Sequence, residues 1–288
     1  MPKVSVLMPI YNTQEDHLKE AIQSVLDQTF RDFEFIILNN SPENIALDSV
    51  VASFQDERIR YIKNDQETGI SQGRNKLMAL ALGEYFAIMD HDDVCLPTRF
   101  EEEVKVLDGH PEIGVVGCWV ERFPDTKIAQ YPEHNQDIER YFMYGCGVAH
   151  TASMIRKSAL GSLQYEEAFS PSEDYALWCR LVGKTTFYNI PKVLMKYRWH
   201  DRNTSKEQAD KMAEATKAIY DFVRKEHPDI WQDVCENTPH IVRLKLLGLI
   251  PCGKFVQNGN KRKGFLKYLP FLTTKMKPYF QHGQGICF

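Results

Sequence analysis

The sequence has no C-x-x-C pair, and its seven cysteines (95, 118, 146, 179, 235, 252 and 287) follow no spaced framework. An odd, scattered set argues against a disulfide scaffold and suits free, mostly buried thiols in a reducing compartment. No apolar run approaches the roughly 20 residues that a membrane-spanning helix needs. The apolar stretch 4–10 is stopped at once by Tyr11-Asn12, so it reads as a strand and not as a signal-peptide core. Glycine and proline, at 16 and 14 of 288 residues, are too few for a fibrous or disordered chain. These absences leave a globular protein with an expected cytoplasmic location, long enough for one large domain with an appendage.

Acidic residues are missing from one region. Residues 237–288 hold nine Lys or Arg and no Asp or Glu, although the whole chain carries a net charge of −4. The acidic excess therefore lies in 1–236, which makes nucleic acid an unexpected partner for the main body. The basic stretch mixes Lys and Arg with Leu, Phe and Tyr, as in Lys261-Arg262-Lys263-Gly264-Phe265-Leu266-Lys267. Such segments lie on anionic membrane surfaces, which predicts peripheral contact with the inner face of a membrane. A helical cap solvated by its lysines is the plain alternative.

What is present is an alternation of strand and helix. Apolar runs at 3–10, 33–38, 59–62, 85–89 and 113–118 predict strands. Leu18, Ala21, Ile22, Val25 and Leu26 recur at helical spacing after Thr13, a candidate cap. Residues 71–82 predict a helix with Gly83 at its C-terminal end, and Pro97 opens another to about Leu107. Further strands are expected at 152–155, 185–190 and 193–199, and helices at 175–182 and 206–225. The order implies an α/β sandwich with parallel strands and right-handed crossovers. In such sheets ligands sit beyond the carboxyl ends of the strands. Three predicted strands end in polar clusters: Tyr11-Asn12, Asn39-Asn40-Ser41 and Asp90-His91-Asp92-Asp93.

The last cluster places three carboxylates within four residues, where mutual repulsion calls for a cation. Mg²⁺ or Mn²⁺ takes one or two carboxylates plus substrate phosphate oxygens. The bland reading is a loop whose aspartates cap the following helix.

The segments SVLMPIYN (5–12), SVLDQTF (24–30), GISQGRN (69–75), GEYFAIMDHDD (83–93) and SEDYALWCRL (172–181) together resemble family-2 glycosyltransferases of the GT-A fold. The resemblance spans roughly residues 3–205, with YRWH (197–200) fitting a weaker signature. It implies a Rossmann-like α/β/α domain over 1–205, its donor half about 1–118 and its acceptor half about 119–205. A helical extension would follow over 206–288, basic from 237. It also implies inverting transfer from a nucleotide-sugar donor, favoured as a UDP-sugar, to a glycan or lipid-linked glycan in bacterial surface polysaccharide or lipopolysaccharide synthesis.

In that family the first aspartate of the D-x-D element, here Asp90, contacts ribose, and the second, here Asp92, coordinates the metal that bridges the diphosphate. Asp93 is expected to order the loop. His91 joins the donor-binding set as the spacer, although its position points it away. Pro9 and Tyr11 would line base and ribose, and Arg74 would lie near base and diphosphate; the plain reading of Arg74 is a surface helix cation. The clearest departure is Asn39, where the family commonly has an aspartate that reads uracil. An asparagine keeps an acceptor oxygen but adds an NH₂ donor. Asp174 matches the catalytic base, with Glu173 beside it for the acceptor or the loop; without the match, both would be acids favoured at a helix N-terminus. His200 is a candidate metal ligand and His150 a candidate acceptor contact, each with a structural alternative.

Two other classes compete. A sugar nucleotidyltransferase shares the architecture but should carry a Gly-rich, basic loop after the first strand, where this chain has Pro9-Ile10-Tyr11-Asn12. A non-catalytic glycan- or nucleotide-binding module would not require Asp92 and Asp174.

Overall fold

The computed structural model describes residues 1–200 and 203–237. Nine strands form one sheet: β1 (Val4–Ile10), β2 (Phe33–Asn39), β3 (Ile59–Lys63), β4 (Tyr85–Ile88), β5 (Val94–Cys95), β6 (Ile113–Phe123), β7 (Lys127–Ala129), β8 (Ser153–Arg156) and β9 (Thr186–Arg198). The order is β3-β2-β1-β4-β8-β6-β9-β5, with β7 paired to β6. The helices are α1 (Glu15–Leu26), α2 (Ile45–Ala52), α3 (Ile70–Leu80), α4 (Arg99–Gly109), α5 (Asn135–Phe142), α6 (Lys157–Leu160), α7 (Glu173–Leu181), α8 (Thr204–Glu207), α9 (Ala209–Glu226) and α10 (Pro228–Asn237).

Every residue of β1 and β2 is buried. That is why both read as near-continuous apolar runs: strands of a parallel sheet are covered on both faces. β1 pairs in parallel with β2 and with β4, and β2 with β3. Their carboxyl ends therefore share one edge, with Ile10 opposite Asn39 and Leu7 opposite Ile88. Beyond β4 the sheet becomes mixed, because β8 runs antiparallel to both β4 and β6. The core packs Val6, Met8, Ile22, Phe35, Phe100 and Met154, all fully buried. Burying each such side chain contributes roughly 1.5–3 kcal/mol relative to exposure.

Three expectations are corrected. Thr13 does not cap α1: the cap position is Gln14, which makes no side-chain capping bond. Gly83 does not close α3, which ends at Leu80. Gly83 permits close packing instead, since a Cβ there would lie 2.6 Å from the Ser5 backbone nitrogen. The strands expected at 185–190 and 193–199 are one strand, β9, that pairs with β6 along its length. Cys118 faces Ile190 and the next residue, Trp119, faces Val193, so Pro191 and Lys192 form a bulge that stays exposed. A proline lacks the N–H that a regular ladder needs, which suits it to the bulge.

Residues 1–227 form one compact unit, and α10 opens a second. α9 belongs to the first unit: Tyr220 donates to the Tyr144 carbonyl at 2.7 Å and Arg224 Nε to that of Met143 at 3.1 Å. The basic stretch expected to meet a membrane lies, apart from Asn237, outside the described residues. No helix among the described residues is long and apolar enough to cross a membrane.

Candidate active site

β4 delivers the chain to the acidic cluster, and Met89 N–H still bonds the Leu7 carbonyl at 3.2 Å. The Asp90 N–H then donates to Thr151 Oγ1 at 3.1 Å. The cluster feeds into β5, which pairs with β9, so the end of β9 returns beside it. Asp93 is fully buried and its Oδ1 accepts the Arg198 N–H at 2.8 Å. Burial, with the charges of Asp92 and Asp90, holds its pKa well above the usual carboxylate range. Asp93 thus faces inward and orders the turn. Arg198 Nε donates to the Asp92 carbonyl at 2.7 Å, and its guanidinium pairs with Glu20.

Beneath the turn lies a residue that sequence reasoning missed. Arg99 is wholly buried and donates through Nη2 to the carbonyls of Ile88 and Ser153, both at 3.0 Å. Its Nε binds Glu103, also fully buried, at 3.1 Å. One guanidinium therefore ties the end of β4 to the start of β8. Burial pushes the Glu103 carboxyl up to about 7 against the pull of Arg99.

His200 Nε2 lies 2.8 Å from Asp92 Oδ2, both side chains being mostly but not wholly buried. His17 stacks loosely nearby, its ring centroid 5.8 Å from that of His200. Burial, then the charges of Arg198 and His200, lower the His17 pKa. No group of three or more His, Cys, Asp or Glu among the described residues is placed to share a metal ion. The pair Asp92 and His200 nevertheless fits two places of an incomplete shell. With bonds of about 2.1 Å, adjacent ligands of an octahedral ion stand about 3 Å apart, close to the observed spacing. A shell completed by substrate oxygens needs no third side chain.

α3 carries Arg74. Its Nη1 binds Glu173, its Nη2 lies 3.4 Å from Asp90 Oδ1, and its guanidinium sits 5.5 Å from the Tyr165 ring centre. The next residue, Asn75, fixes the Tyr165 backbone with bonds of 2.8 and 2.9 Å. Arg74 is therefore a buried tie and not a surface helix cation. Arg74 Nε and Glu173 Oε2 are buried without a hydrogen-bond partner, as are Ser71 Oγ and His91 Nδ1. Buried polar atoms left open in this way are ones that ligand groups or water can complete.

Glu173 and Asp174 occupy the first turn of α7. Asp174 Oδ1 accepts the Tyr175 N–H at 2.7 Å. Burial, then the charge of Glu173, push the Asp174 carboxyl up to about 6, with Arg74 opposing. His150, expected at the acceptor, is buried instead, with Nε2 2.8 Å from the Tyr165 hydroxyl. Burial, with the charges of Arg74 and Arg99, drives its pKa well below the usual imidazole range.

Pro9 lines a cavity of about 10 Å³ with Leu7, Arg74, Leu77, Met78, Ile88 and Tyr165. Tyr11 is 45% exposed just past β1, and a hydrogen bond with Glu67 raises its pKa. Asn12 follows at φ 43°, a left-handed turn that asparagine tolerates. Asn39 is the residue expected at the nucleobase. It is 0% exposed and its amide donates to Asp48 Oδ1 at 3.0 Å and the Tyr61 hydroxyl at 2.9 Å. Its oxygen accepts the Ser41 N–H at 2.8 Å. Asn40 is committed too: its oxygen takes Asn64 Nδ2, Thr68 N–H and Thr68 Oγ1 at 2.8–3.0 Å and so pins residues 64–68.

Of the expected site residues, the structure brings together Arg74, Asp90 and Glu173, and separately Asp92 and His200. It buries Asn39 and His150. Tyr165, Thr151, Arg99 and Arg198 were missed. Arg198, inside YRWH, and Arg99, in the helix expected from Pro97, lay in stretches already singled out; Tyr165 sits in an irregular stretch with no periodicity to mark it.

Known proteins are similar in sequence and share this fold. The family model described as glycosyl transferase family 2 matches residues 5–169. An uncharacterized glycosyltransferase of Methanocaldococcus jannaschii is 34% identical over 210 residues, covering 70% of this chain and 72% of that protein. The amylovoran biosynthesis glycosyltransferase AmsE of Erwinia amylovora is 26% identical over 200 residues, covering 67% and 75%. The chain belongs to glycosyl transferase family 2 and is a glycosyltransferase. Solved structures share its fold at 16% identity and a TM-score of 0.61. One is S. aureus TarS in complex with UDP-GlcNAc, covering 87% of this chain and 84% of that one. Another is the mannosyltransferase PcManGT of Pyrobaculum calidifontis in complex with GDP-Man and Mn²⁺, covering 98% and 85%.

Proposed function

We propose that this enzyme transfers a sugar, with inversion at the anomeric carbon, from a nucleotide-sugar donor to a hydroxyl of a glycan or lipid-linked glycan during bacterial surface polysaccharide synthesis. One observation carries the reading: Arg74 bonds Asp90 on one side and Glu173 on the other. The carboxylate assigned to donor ribose and the helix turn that holds the assigned base are thereby tied to one guanidinium. AmsE, named for amylovoran biosynthesis, supports the polysaccharide role.

Pro9 and Tyr11 line the nucleoside and Asp90 the ribose, with His91 at the rim. Asp92 and His200 would hold a divalent cation. A bound cation supplies neutralising charge to the departing diphosphate. The mixed oxygen and nitrogen pair favours Mn²⁺ over Mg²⁺, which prefers oxygen ligands. Asp174 takes the proton of the acceptor hydroxyl as its oxygen bonds the anomeric carbon from the face opposite the diphosphate. The diphosphate leaves with the electron pair of the broken C–O bond. A base near pKa 6 is ionised at neutral pH yet stronger than an ordinary aspartate, which suits it to a hydroxyl. Glu173 and His150 act on the acceptor side indirectly, through Arg74 and Tyr165. Residues 1–205 supply the chemistry, and the basic residues of 237–288 meet an anionic membrane surface.

A UDP-sugar remains the favoured donor, as in the TarS complex, although PcManGT holds GDP-Man. With Asn39 occupied, base choice falls to Tyr11 and residues 64–68. The test is thermal stabilisation and turnover with UDP-GlcNAc and GDP-Man in the presence of Mn²⁺. Asp174→Asn should keep the donor-dependent stabilisation and lose transfer; full transfer by that variant would overturn the base assignment.

A further inference from the structure

Two adjacent carboxylates open α7, and the structure treats them differently. Glu173 is buried and bound by the Arg74 guanidinium. Asp174 has no cation partner among the described residues; its only hydrogen bond among them comes from the Tyr175 backbone N–H. Arg74 is itself immobilised, with one arm on Glu173, the other toward Asp90, its plane near Tyr165, and 12% of its side chain exposed. Asn75 and His150 hold Tyr165 in turn.

We propose that Arg74 is a positioning residue that divides the two carboxylates: it occupies Glu173 as a fixed counter-ion and leaves Asp174 as the one free to take a proton from the acceptor. The inference rests on the reading of Asp174 as base, and it adds why the proton goes there and not to its neighbour. Paired carboxylates in one buried site do not both behave as ordinary acids; a cation placed on one of them separates their roles. Without Arg74 the Glu173 charge beside Asp174 would be uncompensated.

The groups facing Asp174 define the charge balance. They are Glu173 and Cys179 on α7, Arg74 on α3, Asp90 after β4, Tyr165 before α7 and Cys146 after α5. α9 presents Thr216 and Tyr220 to this end of α7, both uncharged near neutral pH. The carboxyls of this set are Glu173, Asp90 and Asp174 itself, and its cation is Arg74. Burial and Glu173 raise the Asp174 pKa while Arg74 lowers it. Removing the Glu173 charge must therefore move the titration to lower pH, and removing the Arg74 charge must move it to higher pH.

The test needs no donor. The full chain, labelled with ¹³C at the aspartate side-chain carboxyl, is titrated by NMR, the Asp174 signal being identified by its loss in Asp174→Asn. In the parent protein the midpoint should lie near 6. Glu173→Gln, which preserves shape and an acceptor for Arg74, should lower it by roughly one pH unit or more, and Arg74→Gln should raise it by a similar amount. Arg74→Lys keeps the charge and should leave it nearly in place. If Arg74→Gln fails to fold, Glu173→Gln and Arg74→Lys still decide the matter. A midpoint that Glu173→Gln leaves unmoved would sink the proposal, because a purely structural pair shifts stability and not this titration. Transfer retained by Asp174→Asn would remove the base assignment without touching the charge division, so the two failures are distinguishable.

Discussion

His200 Nε2 meets Asp92 Oδ2 at 2.8 Å across 108 positions of sequence. The meeting depends on β5 pairing with β9, and on Arg198 bonding both the Asp92 carbonyl and the Asp93 side chain just before the chain reaches His200. A nitrogen and an oxygen at this spacing match two adjacent corners of an octahedral cation shell.

Loss of either corner should weaken the cation more than the fold. His200→Ala and Asp92→Ala should each raise the Mn²⁺ concentration for half-maximal activity by roughly tenfold or more, ligands mattering at least as much as the groups that orient them. The check is a Mn²⁺ titration of activity after chelator treatment, beside a melting curve without metal. An unchanged Mn²⁺ dependence in both variants would remove the pair from the metal site.

The Arg99–Glu103 pair should be costly to break from one side. Arg99→Met leaves a buried carboxylate alone and frees two carbonyls, a loss of about 3–5 kcal/mol in denaturant unfolding. Arg99→Met combined with Glu103→Leu should recover part of that loss, because the orphaned carboxylate is gone. A double variant less stable than Arg99→Met would contradict the account.

Asn39→Asp should destabilise the protein, and more so at high pH. The new carboxyl loses two N–H donors and faces Asp48, whose Oδ1 now accepts from Asn39. Burial and that neighbouring charge would raise its folded pKa above the unfolded value. The folded state is then favoured while the group is protonated and loses stability as pH rises through the folded pKa. The expected cost is about 1–3 kcal/mol at pH 8, smaller at pH 5. A gain in UDP-sugar affinity without loss of stability would instead restore residue 39 as a base contact.

Gly83→Ala should strain the contact between the β4 entry and β1. Its Cβ would fall 2.6 Å from the Ser5 backbone nitrogen. Overpacking of this kind costs about 1–3 kcal/mol, read as a melting temperature lower by several degrees. A Gly83→Ala variant as stable as the parent would show that β1 yields at this point.

Composition and periodicity determined a good deal of this protein. Runs such as 4–10 and 33–39 are buried on both faces, so their apolar character is continuous and legible. The helices of α1, α4 and α7 show in the spacing of Leu18, Ile22 and Val25 and their like, because one face of each must meet the sheet. The polar residues that end β1, β2 and β4 stand at one edge because parallel strands share a direction. The family match then labelled Asp90, Asp92, Asp174 and Arg74 one by one. Tertiary structure alone decided which of these residues touch. Strand order put β9 beside β5 and so His200 on Asp92, a long-range pairing that no local pattern encodes. It turned Asn39 inward, since Asp48 and Tyr61 arrive from other elements to claim its amide. It also set Arg74 on Glu173 and left Asp174 without a cation among the described residues. Side-chain type is local, but burial and charge partners come from distant parts of the chain, and these decide how each acid behaves.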